Sequence, residues 1–423
     1  MSSATPTPAA PDGPATTQSG RAPLKPLDQA LAELLARAAP LPGTETVSTF
    51  DADGRVLAQD LVSSLDVPAH DNSSMDGYAM RASDWAEGAV LPVSQRIPAG
   101  SSGHALAPAT VARIFTGAPI PSGADAVVMQ EDCEAVDDAV RIKVKPQSGQ
   151  WIRRRGEDVA AGAVVLRGGE RLTPASLGLA ASIGFDKLQV APRVRVALFS
   201  TGDELVMPGE VAPADMKPGA IYNSNRFFLR ALLLRLGCSV TDLGIVPDRL
   251  DATVAALKGA SEAHDLILTS GGVSVGEEDH IKPAVEALGE LSLWQIAMKP
   301  GKPFAYGKVG GAHFVGLPGN PVSSFVTFLV LVRPFLLRLQ GAADLALSPV
   351  ALPAHFDWPK ADKRREFLRA RRNAAGGLEL FSNQSSGVLT SAVWGDGVID
   401  NPSGQTIARG DMVRFIPFSS LIA

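Results

Sequence analysis

Cysteine is nearly missing from this chain. Its 423 residues hold two, Cys133 and Cys238, far apart and without a CxxC partner. That excludes a disulfide framework and a cysteine-based zinc site, and it fits a reducing compartment. Positive charge is not in excess either: 39 Lys and Arg stand against 44 Asp and Glu, for a formal charge of −5. Bulk attraction to nucleic acid or to an anionic membrane is therefore not expected, and an anionic ligand must be held by local cations. No basic segment followed by an apolar core opens the chain, so no secretory signal is expected. The most apolar run, Phe325 to Val332, is broken by Arg333 and Pro334. It is too short to span a bilayer and reads as a buried helix. The six histidines show no metal spacing, and no Ser-His-Asp order or Cys-His pair presents itself. The expected location is cytoplasmic.

What remains is an ordinary globular composition, 45% hydrophobic and 20% charged, in a chain long enough for several domains. Residues 1–26 hold six prolines and few large apolar groups, which predicts a disordered tail. Leu27, Leu31, Leu34 and Leu35 then share one helical face, and Pro40 and Pro42 end that helix. Residues 63–162 carry short β-like runs between Gly and Pro, a small inserted β domain. Residues 27–62 and 163–192 flank it as an N-terminal helical and linker domain, with a helix over 172–183. From 193 to 342 strands and helices alternate, as in a doubly wound, mostly parallel α/β sheet closed by a long helix over 321–339. Residues 343–423 return to short β runs, a separate small β domain.

In an open α/β sheet, ligands bind beyond the carboxyl ends of the strands. Four loops fall there: Ser200-Thr-Gly-Asp-Glu204, Pro247-Asp248, Thr269-Ser-Gly-Gly-Val-Ser-Val-Gly-Glu-Glu-Asp279, and Gly316-Leu-Pro-Gly-Asn-Pro-Val-Ser323. Alone, each reads as a plain turn. Together they read as a phosphate site built from Ser270, Gly271, Gly272 and a helix N-terminus, with Asn320 as N-cap and Pro321 as first helical residue. Lys299 and Lys302, in Met298-Lys-Pro-Gly-Lys-Pro303, are natural anion ligands. The acids Glu204, Asp248 and Asp279 repel a phosphate unless a cation bridges them. Mg²⁺ binds through one or two carboxylates plus substrate phosphates, so the pattern points to a metal-bridged phosphate ester or anhydride.

The motifs "DNSSMDGYA", "FTGAPIPSGADAVVMQED", "RRRGED", "FSTGDEL", "TSGGVSVGEED", "MKPGKPFAYG" and "GLPGNPVS" together resemble the molybdopterin molybdenumtransferase family, which includes the gephyrin E domain. The resemblance runs from about residue 27 to the C-terminus. It implies an elongated multidomain homodimer whose active site joins the α/β domain of one subunit to the small β domain of the other. It also implies the reaction: with Mg²⁺, adenylylated molybdopterin and molybdate react, AMP leaves, and molybdenum stays on the dithiolene sulfurs. Carried over by motif, Asp76, Thr116, Glu157, Asp158 and Glu204 match polar catalytic positions, and Asp248 and Asp279 match acids at the metal and nucleotide phosphate. Ser274, Lys299, Lys302, Pro303 and Ser323 match the pterin-phosphate and molybdate region, Pro318 and Pro321 the helix-entry loop, and Arg369 and Ser386 an Arg and Ser near molybdate. Gln295 stands where some relatives carry a lysine. Other cofactor-biosynthesis proteins are implied as contacts. The nearest alternatives are a molybdopterin adenylyltransferase, which needs little beyond the α/β domain, and a scaffold of the gephyrin type.

Overall fold

The computed structural model describes residues 24–272 and 280–422. They form two compact units. One comprises the chain up to Ala38 with Arg195–Phe335 and Leu347–Ala423; the other comprises Ala39–Val194 with Leu336–Ala346.

The first unit is built on a six-stranded sheet. In order across the sheet the strands are Ser239–Val246, Arg195–Thr201, Leu266–Ser270, Ala312–Leu317, Pro303–Val309 and Gly289–Gln295. The first four run parallel; Pro303–Val309 runs opposite to them and pairs antiparallel with both of its neighbours. The central strands are buried throughout, as near-continuous runs such as Val196-Ala-Leu-Phe199 demand of a sheet covered on both faces. Helices Asn225–Arg235, Leu250–Ala263 and Ile281–Leu288 alternate with the strands. Ala197, Phe199, Leu257, Ile267, Val285 and Phe314 share one core cluster with the helices of that face. At the antiparallel edge the strands follow one another with no helix between them. Gly310 and Gly311 let the chain double back, and Gly289 opens the seven-residue edge strand. A Cβ at Gly289 would lie 2.0 Å from the Lys308 carbonyl oxygen, so only glycine admits this pairing.

The stretch Pro321–Leu339 is helical over 19 residues and 89% buried, the core helix that the apolar run predicts. It is not uniform: Phe328–Val332 widens into a π turn between α-helical halves. Pro334 explains this, because it has no N–H for the Val330 carbonyl and its ring crowds that group.

The last strands form a sheet ordered Met298–Lys299, Arg365–Arg372, Gly397–Asn401, Met412–Pro417 and Val350–Pro353, with Leu378–Leu380 beside the second. Its first strand comes from the lysine-proline loop of the α/β region. Lys25, which the sequence places in the tail, is held instead: it pairs with Ile296 through the backbone, bonds Glu33, and sits 4.3 Å over the Trp294 ring. The helix that follows spans Leu27–Ala36.

In the second unit, a six-stranded sheet runs Ala126–Met129, Gly77–Met80, Val111–Ile114, Val90–Ile97, Ala139–Ile142 and Cys133–Val136. Beside it, Glu45–Ser48 pairs with Lys187–Val190 and Leu61–Val62 with Val164–Leu166. The Pro174–Ser182 helix opens on Thr173, whose hydroxyl accepts from the Ser176 N–H at 3.2 Å.

Candidate functional site

The four strand-end loops meet. A cavity of about 740 Å³ is lined by Thr201, Gly202 and Glu204 from the first, Asp248 from the second, Ser270, Gly271 and Gly272 from the third, and Pro318 to Pro321 and Ser323 from the fourth. Leu205, the segment Ile221 to Asn225, Pro303 of the lysine-proline loop and Gly387 of a C-terminal turn also line it. Gly271 has φ of +98°, and a Cβ there would lie 3.0 Å from the Thr201 carbonyl oxygen, a tight contact on a backbone that favours glycine.

The residue that ties this pocket together is one the sequence reading passed over. Asn225, in the first turn of the leucine-rich helix and 9% exposed, donates from Nδ2 to Ser270 Oγ and to the Gly319 carbonyl, each at 2.7 Å. Ser270 Oγ in turn donates to the Pro318 carbonyl at 3.2 Å. One buried amide thus fixes the third loop against the fourth. A polar residue opening a helix of Phe and Leu, in "YNSNRFFLR", was the available signal.

At the helix entry, Asn320 is the N-cap and Pro321 the first helical residue, as expected, but the Asn320 side chain makes no capping bond. The Val322 N–H instead donates to the Ser386 carbonyl at 2.9 Å, which joins the C-terminal loop to the pocket wall. Arg369 lies inside the C-terminal sheet, 1% exposed, and does not line the pocket. Its guanidinium donates to Ser391 Oγ and to the carbonyls of Phe367 and Ser385, and burial lowers its pKa to about 10. Lys299 and Lys302 do not line the pocket either. Lys299 is bound to Glu366 and Asp362. Ser274 and Asp279 fall within 273–279, outside the described residues.

Asp76, Thr116, Glu157 and Asp158 belong to the other unit, where three polar motifs converge. Asp76 Oδ1 accepts from the Thr116 N–H at 2.8 Å and hydroxyl at 2.7 Å. Those two bonds, the N–H first, hold its carboxyl below the usual range. The Ser73 carbonyl accepts from the Gly117 N–H, and the Ser74 N–H donates to Trp151. Asp71 binds the Arg155 N–H and the Arg154 guanidinium; Asp66 binds the Ala161 N–H and Arg155. Glu157 Oε2 accepts from the Arg154 N–H at 2.7 Å, and the Asp158 N–H donates to Val67.

Among the described residues, no three His, Cys, Asp or Glu side chains gather around one point. The pocket offers Asp248, half-buried, and Glu204, exposed. Neither carboxylate has a hydrogen-bond or ion-pair partner among the described residues. Two free carboxylates beside a glycine-lined cavity fit Mg²⁺, which completes its shell with water and substrate oxygens.

Three family models match the chain: the MoeA N-terminal region (domain I and II) over residues 25–184, a probable molybdopterin binding domain over 197–338, and the MoeA C-terminal region (domain IV) over 351–418. The chain is 41% identical over 406 residues to a molybdopterin molybdenumtransferase of Haemophilus influenzae, covering 94% of this chain and 99% of that protein. It is 39% identical over 372 residues to molybdopterin molybdenumtransferase 2 of Mycobacterium tuberculosis, covering 84% and 90%. Among solved structures it resembles the molybdopterin biosynthesis moeA protein of Pyrococcus horikoshii, with a TM-score of 0.81 at 29% identity over 93% of this chain and all of that one.

Proposed function

Because this chain belongs to the molybdopterin molybdenumtransferase family, and is a transferase of molybdenum cofactor biosynthesis, we propose that its strand-end pocket binds adenylylated molybdopterin and that it inserts molybdate there with release of AMP. The observation that carries this reading is the single cavity shared by four strand-end loops, with Gly271, Gly272 and the Pro321 helix entry on one side and the free carboxylates of Asp248 and Glu204 on the other.

The pocket's parts divide the work. The Gly271 N–H is spent on the Leu317 carbonyl, which leaves Gly272 and the positive end of the helix to meet phosphate oxygens. Asn225 keeps Ser270 and Gly319 in register, so both phosphate-facing loops are set before substrate arrives. Asp248, with Asp279, would hold Mg²⁺, and Glu204 stands at the same rim. When bound, Mg²⁺ supplies charge stabilisation for the departing phosphate. No protein nucleophile is needed, since phosphoryl chemistry of this kind rests on positioning and electrostatics. Lys299, Lys302, Arg369 and Ser386 are assigned to the oxyanion side of the reaction, and Asp76, Thr116, Glu157 and Asp158 to a second polar surface used in catalysis. A homodimer in the cytoplasm, receiving the pterin from other proteins of cofactor biosynthesis, completes the proposal.

AMP release from adenylylated molybdopterin by the purified chain tests it. AMP appearing only with both Mg²⁺ and molybdate is the expected result. Adenylyl transfer from ATP to free molybdopterin, with no molybdate-dependent AMP, would replace it by the adenylyltransferase reading.

A further inference from the structure

Lys299 is a strand residue of the C-terminal sheet, and parallel pairing sets it beside Glu366. Its Nζ donates to Glu366 Oε1 at 3.0 Å and lies 3.4 Å from Asp362 Oδ2. Glu366 is 1% exposed, and its other oxygen accepts from Trp358 Nε1 at 2.9 Å and Asn401 Nδ2 at 3.3 Å. A carboxylate this deeply buried needs a positive partner, and Lys299 provides it. Asp362 is served already by Arg364, which binds it through Nε at 3.0 Å and through its terminal nitrogen at 2.8 Å. The lysine side chain nevertheless keeps 38% of its surface open. The ammonium is thus bound by two acids on a side chain that remains partly exposed.

A cation so placed has much of its charge cancelled, and an incoming oxyanion must compete with Glu366 for it. We infer that Glu366 is a positioning residue that holds Lys299 and, by sharing its charge, sets how tightly the chain binds a tetrahedral dianion of the molybdate class. This rests on the proposal that Lys299 serves the oxyanion. Glu366 itself is shielded from any ligand and acts through the lysine. Asp362 adds to the same effect more weakly, because Arg364 offsets it.

The test is molybdate binding to the full-length protein, measured by calorimetry at low ionic strength for the wild type, Glu366→Gln, Lys299→Met and the double variant. Glu366→Gln should bind molybdate roughly three- to tenfold more tightly, the effect of uncovering one partly exposed charge, and added salt should shrink the gain. Lys299→Met should bind more weakly, and the double variant should match it, since no charge is left to uncover. Unchanged affinity in Glu366→Gln, a gain that persists without Lys299, or no molybdate binding by the wild type overturns the inference. Asp362→Asn, at a half-buried acid, covers the case in which Glu366→Gln does not fold. It should tighten binding by about twofold, again only with Lys299 present, and no change there is equally decisive. AMP release is scored separately: coupling without AMP contradicts the proposed reaction alone, and AMP without coupling contradicts the inference alone.

Discussion

The strand-end pocket and the loop cluster around Asp76 both gather acids, but they treat them in opposite ways. In the cluster, Asp66, Asp71 and Asp76 each accept a backbone N–H and a side-chain donor. Those bonds hold "DNSSMDGYA", "FTGAP" and "RRRGED" together. At the pocket, the carboxylates of Asp248 and Glu204 have no partner among the described residues, while the neutral Asn225 does the holding. Bonded acids fix the loops that carry them; acids left open are available to a cation. The difference sets acids that order a polar surface apart from acids left open to a cation.

The sharpest way to break that comparison is Asp248→Asn. It should lower kcat for AMP release by roughly 100-fold or more, the scale seen when a group that stabilises transition-state charge is lost, with thermal unfolding unchanged. Normal turnover in that variant would return Asp248 to the solvated surface. Asn225→Ala should do the reverse and act first on structure. Leaving Ser270 and the Gly319 carbonyl without their donor should cost about 1–3 kcal/mol in denaturant unfolding and weaken nucleotide binding with it. Equal stability would show that the two loops hold themselves.

Asp71→Asn, in the cluster, should matter less. Its pair with Arg154 is largely exposed, so about 0–1 kcal/mol is expected from the same unfolding measurement. The smallest effect concerns pH. The folded-state pKa of Asp76 is depressed, so its contribution to stability is present above the ordinary carboxylate range and is lost as pH falls through the depressed value. Thr116→Ala removes one of the two bonds responsible. It should move that acid-side loss upward in pH, read from unfolding midpoints across an acid series; an unmoved profile would mean the N–H alone sets Asp76.

Local pattern carried much of this architecture. The four strand-end loops, the Asn320-Pro321 helix entry and the buried 321–339 helix are all consequences of short-range chemistry: glycine where backbones meet, proline where an N–H is spare, apolar runs where a sheet is covered twice. What local pattern could not carry was pairing across distance. Met298-Lys299 reads as part of the α/β region but is a strand of the C-terminal sheet, so Lys299 faces Glu366, 67 residues on, and not the pocket. Arg369 likewise donates to carbonyls of its own sheet and the adjacent loop, partners that its motif does not reveal. Asn225 was overlooked because its partners lie 45 and 94 residues away.

The central claim, that the strand-end pocket is where the adenylylated pterin binds, is tested most directly by Gly319→Leu. Gly319 lines the pocket and is exposed, and a Cβ there would meet only the Gly271 Cα at 3.9 Å, an ordinary contact. The substitution therefore fills the cavity without straining the loop. Equilibrium binding of adenylylated molybdopterin to this variant should be lost while its melting temperature stays that of the wild type. Undiminished binding would place the substrate elsewhere and contradict the account.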